Sequence, residues 1–442
     1  MNNTYSNIVL PIETTARELN AKLYLAMVLA ERGFNVYLGA KDPALEVSCR
    51  LPGVIYFDKG FHRGVSEGIY TRLKEAGCLL VSLDEENGVD FRDFFMLDIR
   101  MPDDFLSRMD RVLLWGKSQQ NYLAEHRESM DTRRVLVTGH PRFDLLAPPL
   151  SNLYEAEAQR LRDRYGDFVL YTTNSKFSNN INSREHILKN YTGRVKELER
   201  RLEYDSARLA ANISLIRRIS EELGMPVVVR PHPEENIGTY REAFANSPGI
   251  YPIYKGTAVN WILAARTVIH NHSTTGLEAA MLGKWAIAYT PIVVEENFFP
   301  WIPVACSHRM HNEDDAVRCL ANGHYLTKPE GIDDIMSAFF THDGRAAQRI
   351  AQVVSELAAR HAVGNTPTQK GLQGYLVKVK CKRFLNRLLG RITTTALDRN
   401  KLRDLYPASV TAHFRALQSL LPGQQTQLDI LIHDLYRIRK AG

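Results

Sequence analysis

A short basic loop directly follows an apolar run in the second half of the chain. Residues 227–229 are three valines, and Arg230-Pro231-His232-Pro233 comes next. Ligands of open α/β sheets bind beyond the carboxyl ends of the strands. Arg230 could meet a phosphate through a two-pronged fork of N–H groups, and His232 could meet the same group. The prolines hold the loop extended around His232. We therefore predict that Arg230, His232 and Pro233 bind a phosphate; a loop histidine without a ligand is the alternative.

A second apolar run, residues 267–270, leads into a loop of imidazole and hydroxyl side chains: His272, Ser273, Thr274 and Thr275. The loop coincides with a predicted helix start, whose free N–H groups and positive dipole end favour an anion. Glu278 lies one turn further on and could accept hydrogen bonds from ribose hydroxyls. The same pattern also fits a plain helix-capping box. The two interpretations are compatible, because a cap can also contact a ligand.

Three carboxylates, Asp84, Glu85 and Glu86, follow a buried strand predicted over residues 78–83. Adjacent carboxylates repel unless one is paired or protonated, and such arrangements supply general acids, bases or nucleophiles. Side chains alternate along a strand, so Asp84 and Glu86 should point one way and Glu85 the other. Glu86 reaches furthest and is the preferred catalytic residue, with Glu85 and Asp84 as alternatives. A solvated acidic loop would have the same sequence.

Weaker polar signals follow other predicted strands. Gly139 and Arg142 lie in the segment 138–144, Lys176 ends the segment 172–176, and Glu13 follows the first strand near Arg17. Gly139, Arg142 and Lys176 are predicted to join the binding residues. Together these positions indicate one cleft between two domains, reached from the carboxyl ends of both sheets.

The elements that must position these residues alternate between strand and helix. Residues 8–11 are an apolar run, residues 17–32 have helical spacing, Gly33 ends that helix, and residues 34–38 form a second strand. This βαβ pattern continues and predicts an α/β fold with two doubly wound Rossmann-type domains. We place the N-terminal acceptor and catalytic domain at 1–150 and the donor-binding domain at 151–345. A helical, basic C-terminal extension, a candidate for membrane association, follows at 346–442.

Composition excludes several classes of protein. The chain has 442 residues, 44% of them hydrophobic, and a formal net charge of +6. It therefore has enough apolar material for more than one core, and extensive disorder is excluded. No run approaches the ~20 apolar residues that span a bilayer, and no secretory signal is visible. Five widely spaced cysteines without a CxxC pair argue for a reducing compartment, and the small net charge argues against nucleic-acid binding.

The region between residues 365 and 397 contains no Asp or Glu. Its basic residues are Lys370, Lys378, Lys380, Lys382, Arg383, Arg387 and Arg391. Apolar residues interleave with them, as in a basic amphipathic helix that lies on an anionic membrane. A helix packed on the globule with a solvated basic face is the alternative. RNA binding would need more aromatic platforms than this region offers.

The two loops around His232 and residues 272–279 resemble the donor site of GT-B glycosyltransferases. The resemblance is to bacterial β-Kdo transferases, bacterial sialyltransferases with a His-Pro motif and CDP-glycerol glycerophosphotransferases. Residues 137–144 are similar to the TGxPRxD segment of the last group, and residues 10–33 look like bacterial surface carbohydrate biosynthesis proteins. The resemblance implies that His232 contacts the donor phosphate and that Ser273, Thr274 and Thr275 contact this phosphate or a pyrimidine nucleotide. It also assigns Glu278 to the ribose and a first-domain carboxylate to catalysis.

These features predict a GT-B glycosyltransferase. We expect it to be metal-independent, since no DxD motif follows an apolar strand, and to have no cofactor, since no Gly-rich dinucleotide-binding loop follows the first strand. It would transfer a sugar, with Kdo as the candidate, from a CMP-activated donor to a lipid-linked or oligosaccharide acceptor. The setting would be lipopolysaccharide or capsule biosynthesis, on the inner face of the bacterial cytoplasmic membrane. A CDP-glycerol-type polyol-phosphate transferase and a non-catalytic nucleotide-sugar-binding assembly protein are the alternatives.

Overall fold

The computed structural model describes residues 5–86, 90–192, 197–295, 298–362, 371–389 and 401–442. The chain divides into two compact units. The first comprises Met1–Asn87, Met96–Leu153 and Ser337–Gly442, and the second comprises Gly88–Phe95 and Tyr154–Met336. Residues from Ser337 onward thus belong to the first unit, whereas the sequence predicts a separate extension at 346–442.

Strands and helices alternate through most of the chain. The strands are β1 (Asn7–Ile12), β2 (Asn35–Ala40), β3 (Val54–Asp58), β4 (Leu79–Leu83), β5 (Arg111–Leu114), β6 (Val135–Val137), β7 (Val169–Thr172), β8 (Val227–Arg230), β9 (Ile250–Pro252), β10 (Thr267–His270), β11 (Ala286–Tyr289), β12 (Ser307–Met310), β13 (Thr426–Ile432) and β14 (Leu435–Lys440). The α-helices are α1 (Thr15–Glu31), α2 (Lys41–Ser48), α3 (Ser66–Glu75), α4 (Phe95–Arg100), α5 (Asp103–Arg108), α6 (Lys117–His126), α7 (Pro141–Asp144), α8 (Glu155–Tyr165), α9 (Arg184–Tyr191), α10 (Leu198–Leu223), α11 (Ile237–Ala243), α12 (Ala258–Ala264), α13 (Thr275–Met281), α14 (Ile302–Ala305), α15 (Glu313–Ala321), α16 (Ile332–Phe339), α17 (Ala346–Arg360), α18 (Leu372–Leu388) and α19 (Pro407–Leu420).

The first unit is built on a sheet with the strand order β13-β14-β2-β1-β3-β4-β5-β6. The strands from β1 to β6 pair in parallel, and all six residues of β1 are buried. Continuous burial is typical of parallel strands covered by helices on both faces. The chain passes from β1 to β2 on one side and then to β3 on the other. The topological switch point, where such sheets bind ligands, therefore lies between β1 and β3.

The C-terminal region contributes two strands as well as helices. β13 and β14 pair antiparallel, and β14 extends the first sheet by pairing antiparallel with β2. Leu435, Tyr436 and Ile438 are fully buried there. A Cβ on Gly39 of β2 would lie 2.6 Å from the Asp434 carbonyl, so this edge admits the hairpin only with glycine. The sequence predicts helices in this region, and α17, α18 and α19 lie there; the hairpin is an addition that arises because the edge of β2 pairs with the final strand.

The second unit has a six-stranded parallel sheet with the order β12-β11-β10-β7-β8-β9. One face packs against α10 through Leu215, Ile216 and Ile219, and the other packs against α8 and α12. Strands β8 and β9 lie on one side of β7, whereas β10 lies on the other side. The switch point of this second sheet is therefore between β7 and β10. Both units show the doubly wound α/β organisation that the sequence predicts.

The basic region predicted around residues 365–397 is only partly described. Its segments 365–370 and 390–397 lie outside the described residues, and α18 covers its centre. Within the described part of the chain, no helix combines the length and apolar character needed to cross a bilayer.

Candidate functional site

Loops that follow β7, β8 and β10 are linked at the switch point of the second unit. The hydroxyl oxygens of Thr172 and Thr275 are 2.9 Å apart, which joins the end of β7 to the loop after β10. Thr173 donates to Glu235 Oε1 at 2.9 Å, which joins the same strand end to the loop after β8. The predicted phosphate-binding loops thus both contact the end of β7.

Glu235 organises the loop that carries His232. It accepts hydrogen bonds from the His232 backbone N–H at 2.8 Å and from the Tyr240 hydroxyl at 2.6 Å. Burial raises the pKa of this carboxyl, opposed by those hydrogen bonds. His232 Nδ1 accepts the N–H of Glu234 at 3.2 Å, which assigns the proton of a neutral ring to Nε2. That tautomer can donate to a phosphate oxygen. Pro233 lies exposed in the same loop.

Arg230 interacts with its own unit's backbone. Its guanidinium donates to the carbonyls of Lys255 (2.5 Å) and Gly256 (3.1 Å) and lies 5.5 Å from the ring centre of Trp261. Burial lowers its pKa to about 10. Arg230 therefore fixes the loop after β9, and its contact with a phosphate stays a prediction.

His272 is buried in a polar network behind the hydroxyl loop. Its Nε2 lies 2.5 Å from an Arg208 guanidinium nitrogen and 3.2 Å from the Tyr204 hydroxyl, and its ring stacks on Phe299 at 4.5 Å. Arg208 also pairs with Asp205. Burial, reinforced by Arg208, holds the pKa of His272 well below its usual range. Because the neutral ring accepts from Arg208 at Nε2, its proton lies on Nδ1, which is buried with no hydrogen-bond partner among the described residues.

The remaining predicted residues of this unit lie around the same strand ends. Ser273 Oγ accepts the N–H of Thr275 at 3.3 Å, a bond within the loop, and residues 273–275 are half-buried. Glu278 is buried one turn into α13. Lys176 is half-buried beside the Phe177 ring. The N-cap residue of α13 is Thr274, which makes no side-chain capping bond, so the structure does not show the capping box. The ligand-binding role of these residues stays a prediction.

The carboxylates of the first unit are paired with cations. Arg100 makes two hydrogen bonds to buried Asp84 and a third, at 3.2 Å, to Glu86. Gly60 allows this approach, because a Cβ there would lie 2.2 Å from the Arg100 guanidinium. Glu85 contacts Lys22 at 3.2 Å and His140 at 3.4 Å. The predicted alternation is confirmed: Asp84 and Glu86 share the Arg100 cation, and Glu85 faces Lys22 and His140 instead.

Glu85 and Glu86 are both held ionised, in different surroundings. Burial alone would raise the pKa of Glu85, but Lys22 and His140 outweigh it and lower that pKa well below its usual range. Burial would also raise the pKa of Glu86, but Arg17, Arg100 and Lys59 outweigh it and lower this pKa to about 2. The Glu85 side chain is 2% exposed, whereas that of Glu86 is 47% exposed. Of the three carboxylates, Glu86 is the one that a ligand can reach. Because the pKa of each carboxyl is lowered, Glu85 and Glu86 are ionised at neutral pH and do not suit a general-acid role.

Several residues of this cluster were missed by sequence reasoning. Lys59 pairs with Glu13 across the switch point, where β1 and β3 end. Asp58, the last residue of β3, has its pKa raised to about 6 by burial, opposed by the backbone N–H of Gly60, which donates to its Oδ2 at 3.0 Å. Lys22 lies one turn after Glu18 in α1 and bonds it at 2.8 Å. Such i, i+4 spacing was the available signal for Lys22, and strand-end position was the signal for Asp58 and Lys59.

Gly139 and Arg142 belong to the first unit, whereas the other predicted binding residues belong to the second. A Cβ on Gly139, whose φ is +75°, would meet the Thr341 carbonyl at 2.3 Å, so its glycine serves local packing. Arg142 is buried beside Trp115, with its guanidinium 5.2 Å from the ring centre, and approaches the Glu85 carbonyl at 3.5 Å. Arg142 supports the Glu85 side of the cluster, and the donor contact of Gly139 and Arg142 stays a prediction.

A cavity of about 10 Å³ lies beneath the cluster, lined in part by Lys22, Asp58, Glu85 and His140. This volume is close to the minimum for one water molecule. Glu85 Oε2 and His140 Nε2 are buried there without a hydrogen-bond partner among the described residues. A water in this cavity would satisfy both atoms. No group of three or more His, Cys, Asp or Glu side chains in the described ranges is arranged to hold a metal ion.

The chain matches no protein-family model and no curated protein sequence. Its fold is similar to that of the wall teichoic acid polymerase TagF, with a TM-score of 0.51 and 13% identity over 81% of this chain and 90% of that one. It is equally similar to S. aureus MnaA in a structure with UDP, with a TM-score of 0.51 and 13% identity over 83% of this chain and 100% of that one. A UDP-GlcNAc 2-epimerase from Methanocaldococcus jannaschii matches at 0.48 and 12% identity, over 79% of this chain and 99% of that one. The first two likenesses and the two sheets confirm a GT-B-like α/β fold with two Rossmann-like domains.

Proposed function

We propose that the chain is a glycosyltransferase that moves a sugar, with Kdo as the candidate, from a CMP-activated donor to a glycan or glycolipid acceptor. The observation that carries the proposal is Glu86, an accessible carboxylate held ionised at a strand end of a GT-B-like chain. The strand-end loops of the second unit support it with donors suited to a phosphate: the His232 imidazole and the hydroxyls of 273–275. The proposed setting is bacterial surface polysaccharide assembly at the inner face of the cytoplasmic membrane.

In the proposed reaction, the bond between the anomeric carbon and the phosphate oxygen breaks, and its electron pair leaves with CMP. A carboxylate with a pKa of about 2 is a weak base but stays ionised under all working conditions. It therefore suits a nucleophile or a counter-charge for a cationic sugar better than a proton acceptor. We assign Glu86 the nucleophilic role, which makes the transfer a retaining double displacement. Asp84 holds Arg100, which also contacts Glu86.

Phosphorus NMR can follow the proposed reaction with water as the acceptor. We expect the protein to release CMP from a CMP-activated Kdo faster than buffer does, with free sugar as the other product. Release at the buffer rate, with CMP still bound, would instead identify a non-catalytic binding protein. The same sample with CDP-glycerol and a polyol acceptor tests the polyol-phosphate transferase, which the segment 138–144 and the fold likeness to TagF favour. A new phosphodiester signal on the acceptor would establish that alternative.

Replacing His232 with alanine is expected to weaken CMP binding by about 10- to 100-fold, because a charge-assisted hydrogen bond contributes ~1.5–3 kcal/mol. The fold should survive, since the loop lies beyond the end of β8. Calorimetry measures the affinity, with His186→Ala, on an exposed face of α9, as the matched control. Equal CMP affinity in the wild type and the His232 variant would remove this residue from the donor site.

The double change Ser273→Ala with Thr274→Ala is expected to weaken CMP binding by less than His232→Ala does. Backbone N–H groups of this loop remain available to a phosphate after the hydroxyls are lost. The same calorimetric titration compares the two variants. A larger loss in the hydroxyl variant would reverse the predicted ranking of the two loops.

A further inference from the structure

Helix α18 lies against β13 at the free edge of the first sheet. Leu376 faces the protein and is 6% exposed, and Arg383 reaches back to Asp434 at 2.6 Å. These contacts fix which side of the helix is turned outward. The sequence left open whether this outward side would be a solvated basic face.

The outward side of α18 is apolar instead. Val377, Cys381, Phe384 and Leu388 are exposed and follow one another at intervals of four, three and four residues, which places them on one helix face. Leu385 and Leu389 adjoin them and are also exposed. We call these six residues the outer stripe. Phe384 and Leu388 are 66% and 69% exposed, so the helix presents a continuous apolar surface to the solvent.

Lysines flank the outer stripe on both sides. Helical spacing places Lys380 along one margin and Lys382 along the other, whereas Lys378 lies within the stripe, seven residues before Leu385; all three lysines are exposed. The described residues 371–389 contain no Asp or Glu. An apolar stripe between lysines matches a bilayer interface, where apolar side chains enter the acyl boundary and lysines reach anionic headgroups.

We propose that α18 docks the protein on an anionic lipid bilayer through the outer stripe, with the helix lying parallel to the membrane plane. The inference does not depend on the transfer reaction, because it rests on the outward face of this helix alone. Charge complementarity selects the occupant: two copies of α18 would bring like-charged lysines together, whereas an anionic bilayer neutralises them.

Cys381 provides a native reporter at the centre of the outer stripe. Cys78, Cys306 and Cys319 are buried, so a Cys49→Ser variant of the full chain can be labelled at Cys381 with a polarity-sensitive fluorophore. We expect a blue-shifted emission with vesicles of phosphatidylglycerol and phosphatidylcholine, and a much smaller shift with phosphatidylcholine alone. An unchanged spectrum with anionic vesicles would overturn the proposal.

Vesicle flotation of the unlabelled full chain separates the apolar and charged contributions. Phe384→Gln with Leu388→Gln should lower partitioning at least tenfold, because two apolar side chains no longer enter the boundary. Lys378→Gln with Lys382→Gln should lower it about 30-fold at low salt, with less effect at high salt. Val65→Gln with Leu326→Gln, which removes exposed apolar residues elsewhere, is the matched control. Equal flotation of the stripe variant and this control would refute the docking role. It would also be refuted if neither the wild type nor the stripe variant floats and the wild type forms a dimer that the stripe variant does not form.

Discussion

Changing Glu86 to glutamine is expected to lower CMP release and sugar transfer by more than 10²–10⁴-fold while CMP affinity stays unchanged. That range is typical for loss of general acid–base help, and loss of a covalent nucleophile costs more. The substitution keeps the shape of the side chain and removes its charge. Glu86 is half-exposed, so its cations can turn to water and the fold should persist.

The matched comparison for Glu86→Gln is Glu85→Gln, which alters the neighbouring buried carboxylate. This second variant should lose thermal stability, because Lys22 would keep only Glu18 as a carboxylate partner. Intact-protein mass spectrometry with the CMP-sugar alone should show a sugar adduct in the wild type and none in Glu86→Gln. Since the pKa of Glu86 is about 2, the fold-loss of turnover in Glu86→Gln should be the same at every pH between 5 and 8. Near-normal turnover of Glu86→Gln would refute its role as nucleophile.

Replacing Arg100 with methionine is expected to destabilise the first unit by about 3–5 kcal/mol. The change leaves the buried Asp84 carboxyl without its partner, and breaking a buried pair from one side costs this amount. Hydrogen exchange of peptides from β4 under increasing urea measures the free energy of unfolding of the first unit separately from that of the second. The combined change Arg100→Met with Asp84→Leu should recover much of the loss, since an apolar pair of similar volume can replace a buried ion pair.

Arg63→Met is the matched control for Arg100→Met. Arg63 pairs with Asp104 at 3.6 Å, but its side chain is 70% exposed, and exposed pairs contribute ~0–1 kcal/mol. Equal losses in the two variants would mean that the buried pair holds the first unit no more firmly than a surface contact does. Arg100 would then have no special role in positioning the carboxylates.

The sequence predicted where polar residues lie better than it predicted what they contact. Apolar runs of strand length located β4, β8 and β10. Once a strand is known to be parallel, its carboxyl end identifies the edge of the sheet at which the residues after it lie. The partners of Glu85, which are Lys22 and His140, come from elements far away in sequence. Their identity depends on strand order, which periodicity does not contain.

Two further features needed the three-dimensional structure. Arg230 looked like a phosphate ligand, yet it binds carbonyls of the loop after β9, a contact that becomes visible only when β8 and β9 pair. The final hairpin joins the sheet because the edge of β2 was unpaired and Gly39 admits its turn. Local sequence gives no signal for which distant edge a strand will join.

A thermal-shift panel of CMP, CDP, UDP, GDP and ADP tests the central claim, nucleotide binding by the second unit, most directly. A ligand that binds only the folded state adds about 2.7 kcal/mol at a concentration of 100 Kd, so the melting temperature rises with its concentration. We predict the largest rise with CMP or CDP, and the loss of this rise in His232→Ala. No rise with any pyrimidine nucleotide at millimolar concentration, or a rise confined to GDP or ADP, would contradict the account.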